Sequence, residues 1–232
     1  MLQPAEPGGG RQMAIIKEKD AELLRGTFSE RLRSDVTLVF FTQEHECMYC
    51  RETREFLEEL VSLSDKLHLE TYDLVADAEE AERHGIDKIP AIKIVGDQDY
   101  GVRYFGMPMG YEFSVIVEDI IDVSWGTTEM DPETMGNVLP IDERLHIQVF
   151  VSPTCPYCPQ MVRAAHKFAI LNPSITADMV EITEFPDLVQ KYDVMGVPKT
   201  IINEEFSIEG AYPEKAFSEY VKVASEGKFG SK

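Results

Sequence analysis

Cys155-Pro156-Tyr157-Cys158 and, further along, Val197-Pro198-Lys199-Thr200-Ile201-Ile202 decide the fold, because both stretches recur upstream. The upstream copies are Cys47-Met48-Tyr49-Cys50 and Ile89-Pro90-Ala91-Ile92-Lys93-Ile94. In each copy the proline stands 43 residues after the first cysteine (47 to 90, 155 to 198), and one offset of 108 (47 to 155) relates the two copies. A single Cys-x-x-Cys arises readily by chance. A matched pair with a matched distant proline reads as two copies of one redox-active unit.

Outward from these anchors the pattern is the same twice. Residues 14–33 carry Ile15, Ile16, Leu23, Leu24, Phe28 and Leu32 at helical spacing, and Val36–Phe41 is a buried strand by length and β-branched content. Phe56, Leu57, Leu60, Val61 and Leu63 then place the first cysteine pair at a helix N-terminus. Leu67–Leu74 reads as a strand, Ala76–His84 as a short helix stopped by Gly85, and Ala91–Val95 with Gly101–Phe105 as a hairpin. A helix through Phe113, Val115, Ile116, Ile120 and Ile121 closes the first copy.

The second copy runs through strand Ile147–Val151, a helix with Met161, Val162, Ala165, Phe168 and Ala169, and strand Met179–Ile182. A short helix Pro186–Tyr192, a hairpin of Lys199–Ile202 and Phe206–Ile208, and a helix over Ala211–Ala224 complete it. The second hairpin is four residues shorter, since Gly106 and Gly210 differ by 104 rather than 108. The expected architecture is α/β, two tandem units over 14–125 and 144–232, each a mixed four-stranded sheet flanked by helices. Residues 126–143, with Pro132 and Gly136, read as a linker, and 1–13 as a disordered leader without signal-peptide character.

The chain has 232 residues, enough for two domains of roughly 110 each. A formal charge of −20 argues against nucleic-acid partners, which need clustered Lys and Arg. No stretch approaches the roughly 20 apolar residues of a membrane span. A cytoplasmic location is expected, where disulfides are mostly catalytic outside hyperthermophiles.

Two sulfurs three positions apart at the start of a helix have Cβ atoms about 5–6 Å apart, so dithiol and disulfide are both within reach. Free backbone N–H groups and the helix dipole favour the thiolate of the first cysteine. Cys47 and Cys155 are therefore assigned as attacking nucleophiles, and Cys50 and Cys158 as resolving thiols. A stabilising staple is a poorer reading, because so small a ring barely constrains the unfolded chain. Zinc ribbons hold their cysteine pairs roughly 15–20 residues apart, whereas residues 51–154 separate these two pairs. No metal and no cofactor are expected.

Pro90 and Pro198 lead strands, a position where the missing N–H is tolerated. Their recurrence points to cis bonds that expose backbone beside each sulfur pair, with Ile89 and Val197 presenting that backbone to a substrate chain. Pro156 and Pro159 stiffen the second site. The first is preceded by Glu44-His45-Glu46, whose carboxylates oppose a thiolate and which Arg51 and Arg54 offset. The second site is expected to be the more reactive. His45 reads as a solvated loop residue, His166 as part of a helix face and Glu181 as a strand residue.

These residues resemble the thioredoxin superfamily, and Cys155-Pro156-Tyr157-Cys158-Pro159 is similar to the glutaredoxin-type site. With Val102-Arg103-Tyr104-Phe105-Gly106-Met107-Pro108 and Glu209-Gly210-Ala211-Tyr212-Pro213-Glu214, the chain from Ile15 to Ala224 resembles the archaeal and hyperthermophilic protein disulfide oxidoreductases. The resemblance implies two fused thioredoxin folds, related to eukaryotic protein disulfide isomerase. It also implies reduction, oxidation and isomerisation of protein thiols and disulfides in a heat-loving organism. A thioredoxin reductase-like flavoenzyme is the implied electron donor, and a peroxiredoxin a further partner. Alternatives are a dedicated peroxiredoxin reductant, a glutathione-dependent glutaredoxin and a metal-binding protein. The resemblance departs at the buried acid of thioredoxins: Phe41 and Val149, six residues before Cys47 and Cys155, are apolar. The base for the resolving thiols is left open.

Overall fold

The structure, a computed structural model, describes residues 14–45 and 47–227; the leader expected over 1–13, Glu46 and the last five residues lie outside them. In chain order the first unit is α1 (Glu18–Arg31), β1 (Val36–Thr42), α2 (Cys50–Val61), β2 (Leu67–Asp73), α3 (Ala78–His84), β3 (Ala91–Val95), β4 (Asp99–Phe105) and α4 (Phe113–Trp125). A 3-10 turn, Gly110–Glu112, leads into α4. The second unit is α5 (Pro132–Val138), β5 (Leu145–Val151), α6 (Cys158–Leu171), β6 (Ile175–Glu181), α7 (Pro186–Lys191), β7 (Lys199–Ile202), β8 (Phe206–Glu209) and α8 (Glu214–Ser225).

The two expected four-stranded sheets are there, but they are fused. All eight strands form one sheet, ordered β2-β1-β3-β4-β6-β5-β7-β8. The join is a parallel pairing of β4 with β6, from Val102 opposite Ala177 to Phe105 opposite Val180. This explains the unequal hairpins. β4 has seven residues and must reach across the seam, whereas β8 has four and ends the sheet as a short outer edge.

β1 and β5 lie inside this sheet with both faces covered, which is why Leu38-Val39-Phe40-Phe41 and Val149-Phe150-Val151 read as unbroken apolar runs. One face packs the longer helices. Phe28 of α1, Phe56 and Leu60 of α2, Ile116 and Ile120 of α4, and Phe168 of α6 share a core there with Phe40, Tyr104 and Val149. The other face carries α3 and α7 over Phe41, Phe105, Phe150 and Val180. Each fully buried Phe or Leu contributes about 1.5–3 kcal/mol, so the continuous layer alone outweighs any one ion pair in holding the units together.

The segment 126–143 contains α5. Asp131 caps that helix by accepting from the Glu133 and Thr134 N–H groups at 3.0 Å, with Pro132 in the first turn. α5 packs on α8, and it precedes β5 as α1 precedes β1. Among the described residues no helix is long and apolar enough to cross a membrane.

Candidate functional site

β1 and β5 run parallel, because β1 is antiparallel to β3, β3 to β4, and β4 is parallel to β6 and so to β5. Both cysteine pairs follow the C-terminal ends of these strands, so both sit on one edge of the sheet. Both following helices, α2 and α6, lie on the same face. Four strand spacings separate β1 from β5, which is about 19 Å. The pairs are therefore too far apart to share one four-cysteine metal ion, whose ligands lie about 2.3 Å from the metal.

Each pair is closed as a disulfide with Cα atoms 5.5 Å apart. The helices start at Cys50 and Cys158, one turn later than expected, so the first cysteine of each pair lies just ahead of its helix. Cys50, Cys155 and Cys158 are buried, and Cys47 is half-buried. At the second site the Cys158 N–H donates to the Cys155 sulfur at 3.1 Å, the helix-terminal donor expected from the spacing. The Cys155 sulfur also lies 3.7 Å from the Val197 carbonyl oxygen. Ile89-Pro90 and Val197-Pro198 are both cis, as the matched prolines suggested.

The surroundings of the two pairs differ. Cys47 opens into a groove lined by Gln43, His45, Arg54, Asp73 and Val75. Arg51 does not turn to Cys47; it pairs with Glu52 at 2.8 Å and lies 3.9 Å from Glu55. Glu46 is outside the described residues, and His45 is exposed, as read.

Beneath the second site lie carboxylates that the sequence reading did not single out. Glu181 ends β6 opposite Val151, the last residue of β5 before the Cys155 loop. It accepts from the Glu184 N–H at 2.9 Å and from the Thr183 hydroxyl at 2.5 Å. Glu184 accepts from the Met107 N–H of the first unit at 2.7 Å. Glu112, only 1% exposed, stands in the 3-10 turn that packs on α6, and neither of its carboxylate oxygens has a partner among the described residues.

Burial pushes Glu112 up to about 7; the proximity of its own backbone N–H opposes this and the Glu181 carboxylate adds to it. Burial likewise raises Glu184 to about 7, against the Met107 N–H and with Glu181 again adding. Phe41 and Val149 are buried strand residues, so neither supplies an acid; the carboxylates near the second site come from the neighbouring strand and from the first unit. Among the described residues no group of three or more His, Cys, Asp or Glu is arranged to hold a metal ion.

A profile of the thioredoxin domain matches residues 145–221. A protein disulfide oxidoreductase from Aeropyrum pernix superposes with a TM-score of 0.83 at 30% identity, covering 91% of this chain and 94% of that one. The N-terminal domain of the alkyl hydroperoxide reductase AhpF from Enterococcus faecalis superposes with a TM-score of 0.81 at 29% identity, over 88% of this chain and 98% of that one. In sequence, the chain is 26% identical over 180 residues to a Bacillus subtilis NADH dehydrogenase. That match takes in 77% of this chain but only 32% of the dehydrogenase. The chain thus spans about a third of the length of the curated relatives it matches.

The fold and the two Cys-x-x-Cys disulfides define a protein of two fused thioredoxin folds. The chain belongs to the protein disulfide oxidoreductase family.

Proposed function

We propose that the protein exchanges disulfides with protein substrates at two sites, with Cys47 and Cys155 as attacking thiolates and Cys50 and Cys158 as resolving thiols. The observation that carries this reading is the setting of Cys155. An N–H donor at 3.1 Å stabilises its thiolate, and the Val197 carbonyl at 3.7 Å marks where substrate backbone lies beside the sulfur. Pro90 with Ile89, and Pro198 with Val197, form the substrate-facing backbone at the two sites.

In the reducing direction the Cys155 thiolate attacks one sulfur of a client disulfide, and the client's other sulfur leaves as a thiolate. Cys158 then loses its proton and attacks Cys155, releasing the second client thiolate. The client gains two electrons and the protein closes its disulfide; oxidation runs the same steps backwards. Glu112, buried in the turn that packs on the helix begun by Cys158 and raised to about 7, is the acceptor for the Cys158 proton in this reading. The first site runs the same steps through Cys47 and Cys50, and the second is the more reactive.

Electrons come from a thioredoxin reductase-like flavoenzyme, and a peroxiredoxin is one client. The likeness to an alkyl hydroperoxide reductase over nearly the whole of its N-terminal domain supports the peroxide link. Trapping tests the reading. A Cys158→Ala variant, reduced and mixed with a client carrying a disulfide, should accumulate a Cys155–client mixed disulfide visible by intact mass. Absence of this adduct, and of a Cys47–client adduct in Cys50→Ala, would sink the exchange mechanism.

A further inference from the structure

The edge that holds both sulfur pairs carries most of the large apolar side chains that face water among the described residues. The loop after β4 starts at Gly106, whose N–H donates to the Pro90 carbonyl at 2.9 Å. It ends at Tyr111, whose N–H donates to the Pro153 carbonyl at 3.3 Å, two residues before Cys155. A single short loop therefore bridges the proline of the first site and the cysteine loop of the second. Met107 and Met109 lie on it, half-buried, with Tyr111 exposed.

This bridge continues at both ends. Met48 (81% exposed) and Tyr49 stand within the first pair, and Val75 lies beside it. Tyr157 stands within the second pair, and Met195 (86% exposed) precedes Val197. Among the described residues, six of the ten exposed large apolar side chains lie on this edge. Methionine and tyrosine suit a surface that accepts varied apolar sequences, the first through flexibility and the second through a large rigid face.

We propose that the two sites act together as a clamp on one extended polypeptide segment, holding two of its cysteines at once. The segment lies along the Met- and Tyr-lined edge from Cys47 to Cys155. The proposal rests on the disulfide-exchange reading above. The occupant follows from the geometry. Each end of the edge offers one nucleophilic sulfur, and the span of about 19 Å requires a chain that is locally unfolded there. At about 3.3 Å per residue, the two client cysteines must be at least about six residues apart. Closer pairs reach only one site at a time.

The test uses the full chain with both resolving thiols replaced, Cys50→Ala and Cys158→Ala, so that adducts persist. Peptides carry cysteines as mixed disulfides with thionitrobenzoate. The attacking thiolate forms a bond to the peptide sulfur, the bond to thionitrobenzoate breaks, and the electron pair leaves on the coloured thiolate. Three peptides are compared at micromolar concentration: one cysteine, two cysteines at i and i+2, and two at i and i+10.

The clamp predicts that the i+10 peptide gives one peptide per protein with two bonds. Its second release should be independent of peptide concentration and on the order of a hundredfold faster than for the single-cysteine peptide, because tethering gives a millimolar effective concentration. The i+2 peptide should give two peptides per protein, each by one bond. If the i+10 peptide instead loads two per protein at the single-cysteine rate, the sites serve separate clients. The clamp is then wrong while exchange chemistry stands. If even the single-cysteine peptide fails to react, the exchange reading falls and the clamp falls with it. Should that double variant misfold, Cys50→Ser with Cys158→Ser replaces it with the same readout.

Discussion

His166 of α6 and Asp119 of α4 meet at 2.5 Å across the seam between the two units, with both side chains fully buried. Arg163 of α6 reaches the other Asp119 oxygen at 2.7 Å and also pairs with Asp122, while the Tyr104 hydroxyl donates to Asp119. The helix that begins with Cys158 is therefore fastened to the first unit by a charge cluster as well as by the shared core. Burial alone would raise Asp119, but the charges of His166 and Arg163 and the hydrogen bonds to it hold it below the usual carboxylate value.

Removing Asp119 leaves Arg163 and His166 without that partner in the interior. Asp119→Ala should cost about 3–5 kcal/mol at neutral pH, measured by urea unfolding. The sign with pH follows from the lowered value. Asp119 stabilises the fold above its unfolded pKa, and that contribution is lost as pH falls through the folded one. Variant and wild type should therefore converge in acid; a gap that stays constant down to low pH contradicts this role.

Glu112 works the other way. Its value is raised from the ordinary 4.5 to about 7, so the folded protein holds this proton more tightly than the unfolded chain. Stability from this source is complete below about pH 4.5 and is lost as pH rises to about 7. Glu112→Gln should flatten that fall by up to ~3 kcal/mol, at about 1.4 kcal/mol per pH unit. The same variant should slow resolution of the Cys155 mixed disulfide by about 100-fold and remove the inflection near pH 7 from its rate profile. An unchanged rate profile would show that Glu112 is not the proton acceptor.

Gly110 separates the two sites experimentally. Its φ is +66°, and a Cβ there would collide with the Pro153 carbonyl. Gly110→Ala should cost about 1–3 kcal/mol and displace the loop that carries Cys155. Insulin reduction in a Cys47→Ser background should drop at least about tenfold, since a misplacement near 1 Å costs up to 100-fold in rate. The drop in a Cys155→Ser background should be far smaller. Equal losses in both backgrounds would mean that the loop does not act on the second site selectively.

Much of this was legible because the repeat is written in side chains with chemistry: four cysteines and two prolines at one offset. The strands were legible too, since β1 and β5 are apolar on both faces. The fused sheet was not. Pairing of β4 with β6 depends on two edges meeting across more than seventy residues of chain (105 to 180), and no local pattern encodes it. The four-residue difference between the hairpins was the available sign, and it needed the partner strand to be interpretable.

Glu112 was missed for a related reason. The thioredoxin position lies within each unit, six residues before the cysteine, whereas this carboxylate comes from the first unit, in a turn that packs on α6. Pro132 and Gly136 are helix breakers in isolation, which masks α5 in the sequence. Asp131 followed by Pro132 is a helix-start signal that could have been read.

The measurement that bears most directly on the account is insulin-disulfide reduction, with dithiothreitol as electron source, by the metal-free wild type and by Cys47→Ser, Cys155→Ser and the double variant. Exchange at two sites with a dominant second site predicts a wild type far above background, a modest loss in Cys47→Ser, near-complete loss in Cys155→Ser and no activity in the double variant. A wild type no faster than dithiothreitol alone, or a double variant as active as wild type, would contradict it.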